Sequence, residues 1–134
     1  MRYQMEITAM NPLIIPSTNS KDVKLSETTL VPMLFAEAGE GATYRFIEFF
    51  TANIRNPNTR QAYFRAVQRF SDWCQQRNLA LSTLNPVYIA KYIQELGEVA
   101  SRPTVKQHLA AIRMLFDYLV TGHVLPVNPA AAVR

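Results

Sequence analysis

The chain has 134 residues, 49% of them apolar and 18% charged, with a net charge of +4, which suits one domain with a single core. This composition argues against disorder, no apolar run reaches the roughly 18 residues of a membrane span, and the N-terminus lacks a secretory signal pattern. One cysteine excludes an internal disulfide and suits a reducing compartment, so we expect a soluble, cytoplasmic protein without membrane contact.

The charge is divided unevenly along the chain. Residues 1–42 carry a net charge of −2, whereas residues 43–134 carry +6. A basic domain behind a slightly acidic lead favours a polyanionic partner, although many proteins that bind no nucleic acid are equally basic.

Residues 1–42 are predicted to form a mostly irregular and flexible N-terminal extension. Three prolines, at positions 12, 16 and 32, interrupt any helical period. Residues 13–15 could form a short strand, and residues 30–35 form an apolar patch that we expect to dock onto other parts of the protein. Glycines at positions 39 and 41 mark the boundary, after which a helical domain is predicted over residues 43–134.

Amphipathic periods predict four helices in this domain. The first covers residues 43–54 and ends before Pro57, since the residue before a proline avoids helical angles. The second covers residues 59–77, with Asn58 as its predicted N-cap. Its apolar stripe consists of Ala62, Tyr63, Ala66, Val67, Phe70, Trp73 and Cys74.

The last two helices carry clear end signals. The third, over residues 86–97, follows Asn85 as its cap. The fourth, over residues 103–121, is capped at Ser101 or Arg102 and is closed by the glycine that follows it. Four helices with short connections predict an all-α fold, a compact four-helix bundle.

No catalytic or metal-binding pattern is visible in the sequence. Cys74, His108 and His123 do not approach the spacing of a structural zinc site, and the four glycines form no phosphate-binding loop. Cys74 is predicted to be buried and inert, and His108 to lie at the edge of an apolar stripe. We therefore expect a binding domain with no cofactor, no metal ion and no enzymatic activity of its own.

Basic side chains lie on the polar sides of the second and fourth helices. Arg60, Arg65 and Arg69 flank the second helix, and Lys106 and Arg113 lie two turns apart on the fourth. Glutamines and threonines lie between them, and this mixture can neutralise phosphates and read base edges. A solvated polar face accounts for the same residues equally well, so their types and spacing leave both interpretations open.

Five motifs follow one another along the helical part of the chain: residues 58–63 (NTRQAY), 70–74 (FSDWC), 85–86 (NP), 104–113 (TVKQHLAAIR) and 122–130 (GHVLPVNPA). In order and spacing they resemble the N-terminal SAM-like, core-binding domain of tyrosine recombinases, the phage integrase family. The resemblance covers about residues 43–134.

This resemblance implies a domain that clamps one face of double-stranded DNA at a recombination site, beside other recombinase protomers. It assigns strand exchange to a C-terminal catalytic domain beyond the Asn-Pro junction. We expect that domain to be absent from this chain, so the chain is expected to bind DNA without cutting it. The DNA contacts implied first are Thr59, Arg60, Tyr63, Lys106, Gln107 and Arg113. Those implied second are Arg65, Arg69, Arg102 and Thr104.

Two other functions are kept as alternatives. The first is a helical protein–protein interaction module, in which exposed Phe64, Met114 and Tyr118 would dock a partner. The second is an enzyme acting alone, which no constellation of acid, base or metal ligands supports.

Overall fold

The structure is a computed structural model that describes residues 31–134, and within them all regular secondary structure is helical. The α-helices are α1 (Met33–Ala36), α2 (Glu40–Glu48), α3 (Pro57–Gln76), α4 (Pro86–Gly97) and α5 (Arg102–Thr121). A π-helical turn, Phe49–Asn53, continues α2, and a 3-10 turn, Leu81–Thr83, precedes α4. The predicted all-α bundle is confirmed, whereas the short strand predicted at residues 13–15 lies outside the described residues.

The hydropathy of these helices gives no candidate for a membrane crossing. Among residues 31–134, none of the helices is both long enough and apolar enough to span a bilayer.

Phe70 of α3 lies at the centre of the bundle and is fully buried. Its ring centroid is 5.0 Å from that of Tyr92 in α4, 6.1 Å from that of Phe116 in α5 and 6.3 Å from that of Trp73. Because these rings come from three helices, the aromatic cluster fixes how the helices pack on one another. The predicted apolar stripe of α3 therefore packs in a core that α4 and α5 share, although Tyr63 near the start of the stripe is only half-buried.

Side-chain caps determine where α4 and α5 begin. Asn85 Oδ1 accepts hydrogen bonds from the backbone N–H groups of Val87, at 2.9 Å, and Tyr88, at 3.2 Å, which confirms the predicted cap of α4. Ser101 Oγ accepts a hydrogen bond from the backbone N–H of Thr104 at 3.3 Å, so Ser101 is the N-cap of α5. Both caps satisfy N–H groups that the first turn of a helix leaves unpaired.

The prediction that Asn58 caps α3 is wrong, because the cap is Asn56. Its Oδ1 accepts hydrogen bonds from the backbone N–H groups of Asn58, at 2.8 Å, and Thr59, at 3.3 Å. Pro57 explains the difference. Its fixed φ suits the first helical position, and it holds the preceding residue in the extended conformation that an N-cap needs.

Helix α2 begins at Glu40, slightly before the predicted residue 43. It follows Gly39, whose φ of 111° is a conformation that only glycine adopts without strain. At its other end, the π-helical turn leaves both Phe49 and Phe50 buried, although they are adjacent in sequence. A regular period of 3.6 residues does not predict two neighbouring buried residues of this kind.

Helix α1 lies within the segment that the sequence predicts to be mostly irregular. Leu34 and Phe35 are fully buried, and the Phe35 ring lies 4.9 Å from that of Phe46 in α2. The backbone N–H of Leu34 donates a hydrogen bond to the buried Ser71 Oγ of α3 at 3.1 Å. Because a helix of four residues has little stability of its own, these contacts with α2 and α3 hold it in place. The expected docking of the apolar patch is thus confirmed for Leu34 and Phe35.

Replacing Ser71 with alanine is expected to lower the free energy of unfolding by about 1–3 kcal/mol, since the buried N–H of Leu34 loses its partner. Urea unfolding followed by circular dichroism measures this loss. Ser82→Ala is the matched control, because Ser82 is exposed and its loss should stay within about 0.5 kcal/mol. Equal losses in the two variants would mean that Ser71 does not anchor α1.

Candidate nucleic-acid interface

Half of the ten predicted DNA-contact residues are exposed, and they belong to two helices. Arg65 and Arg69 are exposed on α3, and Arg102, Lys106 and Gln107 are exposed on α5. The spacing of four residues puts Arg65 one turn from Arg69, and Arg102 one turn from Lys106. We call these five residues the basic face.

The cations of the basic face have no carboxylate within 4.0 Å among residues 31–134. The ion pairs in that range are formed by other cations: Arg45 with Glu48, and Arg77 and Lys91 with Glu95. A group of surface cations without partner carboxylates creates a positive potential that attracts anionic ligands. The basic face therefore differs in electrostatics from Arg45, Arg77 and Lys91, whose positive charges are paired with carboxylates.

Helices α3 and α5 pack against each other, so the two parts of the basic face belong to neighbouring helices. His108, the residue after Gln107 in α5, has a lowered pKa chiefly because it is buried and secondly because of the positive charge of Arg69. The exposed Arg65 and Arg69 thus belong to a helix that packs directly against the one that carries Lys106 and Gln107.

Arg60, predicted as a DNA contact, has a partner within the fold. Its Nε and Nη2 atoms donate hydrogen bonds to the carbonyl oxygen of Ile54 at 3.2 and 2.8 Å, and Nη2 reaches the carbonyl of Arg55 at 3.5 Å. These carbonyls follow the π-helical turn, where backbone acceptors lack helical partners. Arg60 thus joins the end of that turn to α3, and a contact between Arg60 and a phosphate stays a prediction.

Arg113 likewise binds the backbone instead of extending into solvent. Its Nε donates a hydrogen bond to the carbonyl of Ala130 at 3.1 Å. Asn128 Nδ2 donates to the carbonyl of Arg113 at 3.1 Å and to Asp117 Oδ1 at 2.7 Å, while Asn128 Oδ1 accepts from the N–H of Ala130 at 2.8 Å. These bonds hold residues 128–130 against α5, and the predicted DNA contact of Arg113 is untested.

The remaining three predicted contacts, Thr59, Tyr63 and Thr104, are half-buried. Thr104 belongs to the cap of α5, where its Oγ1 accepts a hydrogen bond from the hydroxyl of Ser101 at 3.0 Å. All three lie in the N-terminal half of their helix, and their predicted DNA contacts stay predictions.

A polar cluster between α3 and α4 was not predicted from the sequence. Trp73 Nε1 donates a hydrogen bond to Glu95 Oε1 at 2.8 Å, and Arg77 Nη2 donates to the same oxygen at 3.0 Å. The Arg77 guanidinium also lies 4.2 Å from the centre of a Trp73 ring. The hydrogen bond from Trp73 is the largest cause of the lowered pKa of Glu95, and the charge of Arg77 lowers it as well. Arg77 is therefore bonded within the fold.

The three residues that were predicted to dock a partner protein do not form an exposed patch. Phe64 is half-buried, with its ring 6.1 Å from that of Phe46 and 5.7 Å from that of Phe50. Tyr118 is half-buried as well, and its ring packs 5.5 Å from that of Phe49. Met114 alone of the three predicted docking residues is well exposed, at 47%. One exposed methionine does not make an apolar docking surface.

Two of the groups that could act as nucleophiles, the Cys74 thiol and the Tyr92 hydroxyl, are buried and held in their neutral forms. Burial raises the pKa of the Cys74 thiol to about 12, and burial likewise raises the pKa of the Tyr92 hydroxyl to about 12. Neither the thiolate nor the phenolate therefore forms near neutral pH. Among residues 31–134 there is also no cluster of His, Cys, Asp and Glu side chains that could hold a metal ion.

Comparison with known proteins identifies two similarities. The pattern of the phage integrase N-terminal SAM-like domain matches residues 45–123. The tyrosine recombinase XerD of Chlorobaculum tepidum is 28% identical over 78 residues, which cover 58% of this chain and 26% of that protein. The chain thus spans about a quarter of the length of this curated relative. No solved structure matches the chain significantly.

Proposed function

The chain belongs to the family of phage integrase N-terminal SAM-like domains, and from this premise we propose that it binds double-stranded DNA through the basic face. The observation that carries the proposal is the absence, among residues 31–134, of carboxylate partners for the four cations of that face. Cations without internal partners can replace the counterions of DNA phosphates, and the released counterions favour binding.

Each part of the basic face has a distinct proposed role. The arginines and Lys106 bind phosphates, since guanidinium and ammonium groups donate hydrogen bonds to phosphate oxygens. Gln107, between Lys106 and the buried His108, is proposed to contact a base edge, because its amide both donates and accepts. Secondary contacts are proposed for the half-buried and backbone-bound residues: Thr59, Arg60, Tyr63, Thr104 and Arg113.

The domain is proposed to act within a larger strand-exchanging recombinase. The relative in Chlorobaculum tepidum is a tyrosine recombinase, and this chain covers only 26% of its length. We assign the cleavage and joining of DNA strands to a catalytic domain of the whole protein, and the placing of that domain on the duplex to the present domain. Other protomers are proposed to bind the same recombination site.

Fluorescence anisotropy with a labelled DNA duplex of mixed sequence tests the proposal. Four phosphate contacts predict that the logarithm of the association constant falls with the logarithm of the salt concentration with a slope of about −3 to −4. The dissociation constant is expected on the micromolar scale that is typical of mainly electrostatic binding. No binding at low salt, or binding that is insensitive to salt, would contradict the proposed function.

A further inference from the structure

One exposed apolar side chain lies on the same helix as part of the basic face. Met114 of α5 is 47% exposed. The other large apolar residues that are exposed in the described part of the chain are Met33, Tyr44, Val87, Val99 and Val127. Those five lie outside α3 and α5. Among residues 31–134, Met114 is therefore the exposed large apolar residue of the two helices that carry the basic face.

Met114 lies on the same side of α5 as the exposed Gln107. The two residues are seven positions apart, which is two helical turns, so their side-chain directions differ by only about 20°. The helix rises by about 10.5 Å over this distance. Gln107 belongs to the basic face, so Met114 extends that face along α5.

Ala110 lies between these two residues on the same side of the helix. It follows Gln107 by three positions and precedes Met114 by four, the two spacings that bring side chains together on a helix surface. Its methyl group is the shortest apolar side chain, and it is half-buried. The middle of this row can therefore come closer to another surface than a long side chain would allow.

An amide followed by an apolar group matches the major-groove edge of an A·T base pair. Thymine presents its C5-methyl group there, and apolar side chains contact it. Adenine presents an acceptor and a donor that a glutamine amide can bind together. The rise of DNA is about 3.4 Å per base pair, less than the spacing of Gln107 and Met114, so the two side chains face different base pairs.

We propose that α5 distinguishes A·T base pairs in the major groove, with Met114 in contact with a thymine methyl group and Gln107 in contact with the adenine of another pair. The proposal rests on the proposed function, since it requires DNA at the basic face. It assigns Met114 a role in specificity that the cations cannot have, because phosphates carry no sequence information. A single methionine is too small for a protein interface, but it can cover one methyl group.

Two duplexes that differ only in their methyl groups test this inference on the whole chain. The first alternates adenine and thymine, so a thymine methyl group is available wherever the domain binds. The second has uracil in place of every thymine, which removes the methyl groups and leaves the charge and hydrogen-bonding groups in place. In fluorescence anisotropy, wild-type protein should bind the thymine duplex about fourfold more tightly, the effect of burying one methyl group.

Three variants assign this preference to Met114. Met114→Ala should bind both duplexes equally and keep the wild-type salt slope, since every cation is retained. Met114→Leu keeps an apolar side chain of similar volume and should retain a preference for thymine. Val87→Ala is the matched control, because it shortens an apolar side chain of α4 that is 73% exposed, and it should keep the fourfold ratio. All three substitutions are at exposed helical positions, so the variants should fold.

The outcomes distinguish this inference from the proposed function. Salt-sensitive binding of both duplexes by wild-type protein with equal affinity would overturn the recognition of thymine alone. A fourfold preference that persists in Met114→Ala, or that is lost equally in Val87→Ala, would do the same. Absence of binding to either duplex at low salt would overturn the inference and the proposed function together.

Discussion

Replacing Phe70 with alanine is expected to lower the free energy of unfolding by about 3–5 kcal/mol, much of the stability that a small domain has. The ring is fully buried, and it contacts the rings of Tyr92 in α4 and Phe116 in α5. Its removal leaves a cavity between three helices that a close-packed core cannot readily fill. Urea unfolding followed by circular dichroism measures the loss.

Phe64→Ala is the matched control for this prediction. The same side chain is removed from the same helix, but Phe64 is only half-buried, and its ring neighbours are Phe46 and Phe50. A smaller loss is therefore expected from this variant. If Phe64→Ala destabilised the domain as much as Phe70→Ala, the assignment of Phe70 to the centre of the core would be refuted.

The long helices could be predicted because each repeats one signal many times. Over about 20 residues, the apolar stripes of α3 and α5 give the helical period and the buried face together. The resemblance to the phage integrase family, named from five motifs, is confirmed by the match to residues 45–123. The prediction succeeds here because the residues that the local pattern marks as apolar are the ones that pack in the core.

Short helices and helix ends were harder to predict, because only a few residues of the sequence indicate them. Helix α1 has only four residues, and its position depends on Phe35 in the core and on the Ser71 hydroxyl. No local pattern relates Ser71 to a segment 37 residues earlier. The cap at Asn56 could have been predicted, since the residue before Pro57 must be extended and cannot be helical.

The residue types of the candidate site could be predicted from the sequence. Which of these side chains are exposed, and which bind the backbone, could not. Arg60, Arg65 and Arg69 share one helix and look alike in sequence, yet Arg60 binds the carbonyl of Ile54 while the other two are exposed. Arg113 binds the carbonyl of Ala130, on the chain that follows α5. Such pairings depend on how the chain turns after each helix, which spacing alone does not give. One signal existed for Arg60, because carbonyls at a helix end need donors.

Neutralising Arg69 and Lys106 together, as Arg69→Gln with Lys106→Gln, is expected to weaken DNA binding by roughly tenfold for each cation at low salt. Each residue lies on the basic face, one on α3 and one on α5, and both are exposed. Each lost phosphate contact removes about one released counterion from the binding equilibrium. Because exposed polar substitutions seldom affect stability, the variant should fold as the wild-type protein does.

Lys91→Gln is the matched control, since it removes a positive charge from exposed Lys91 of α4, which pairs with Glu95 at 3.4 Å and lies outside the basic face. The decisive measurement is the salt slope of duplex binding for wild-type protein, this control and the double variant. We predict a slope smaller in magnitude by about 2 for the double variant, and a slope close to that of wild-type protein for Lys91→Gln. Equal slopes in the folded double variant and the wild-type protein would contradict DNA binding through the basic face.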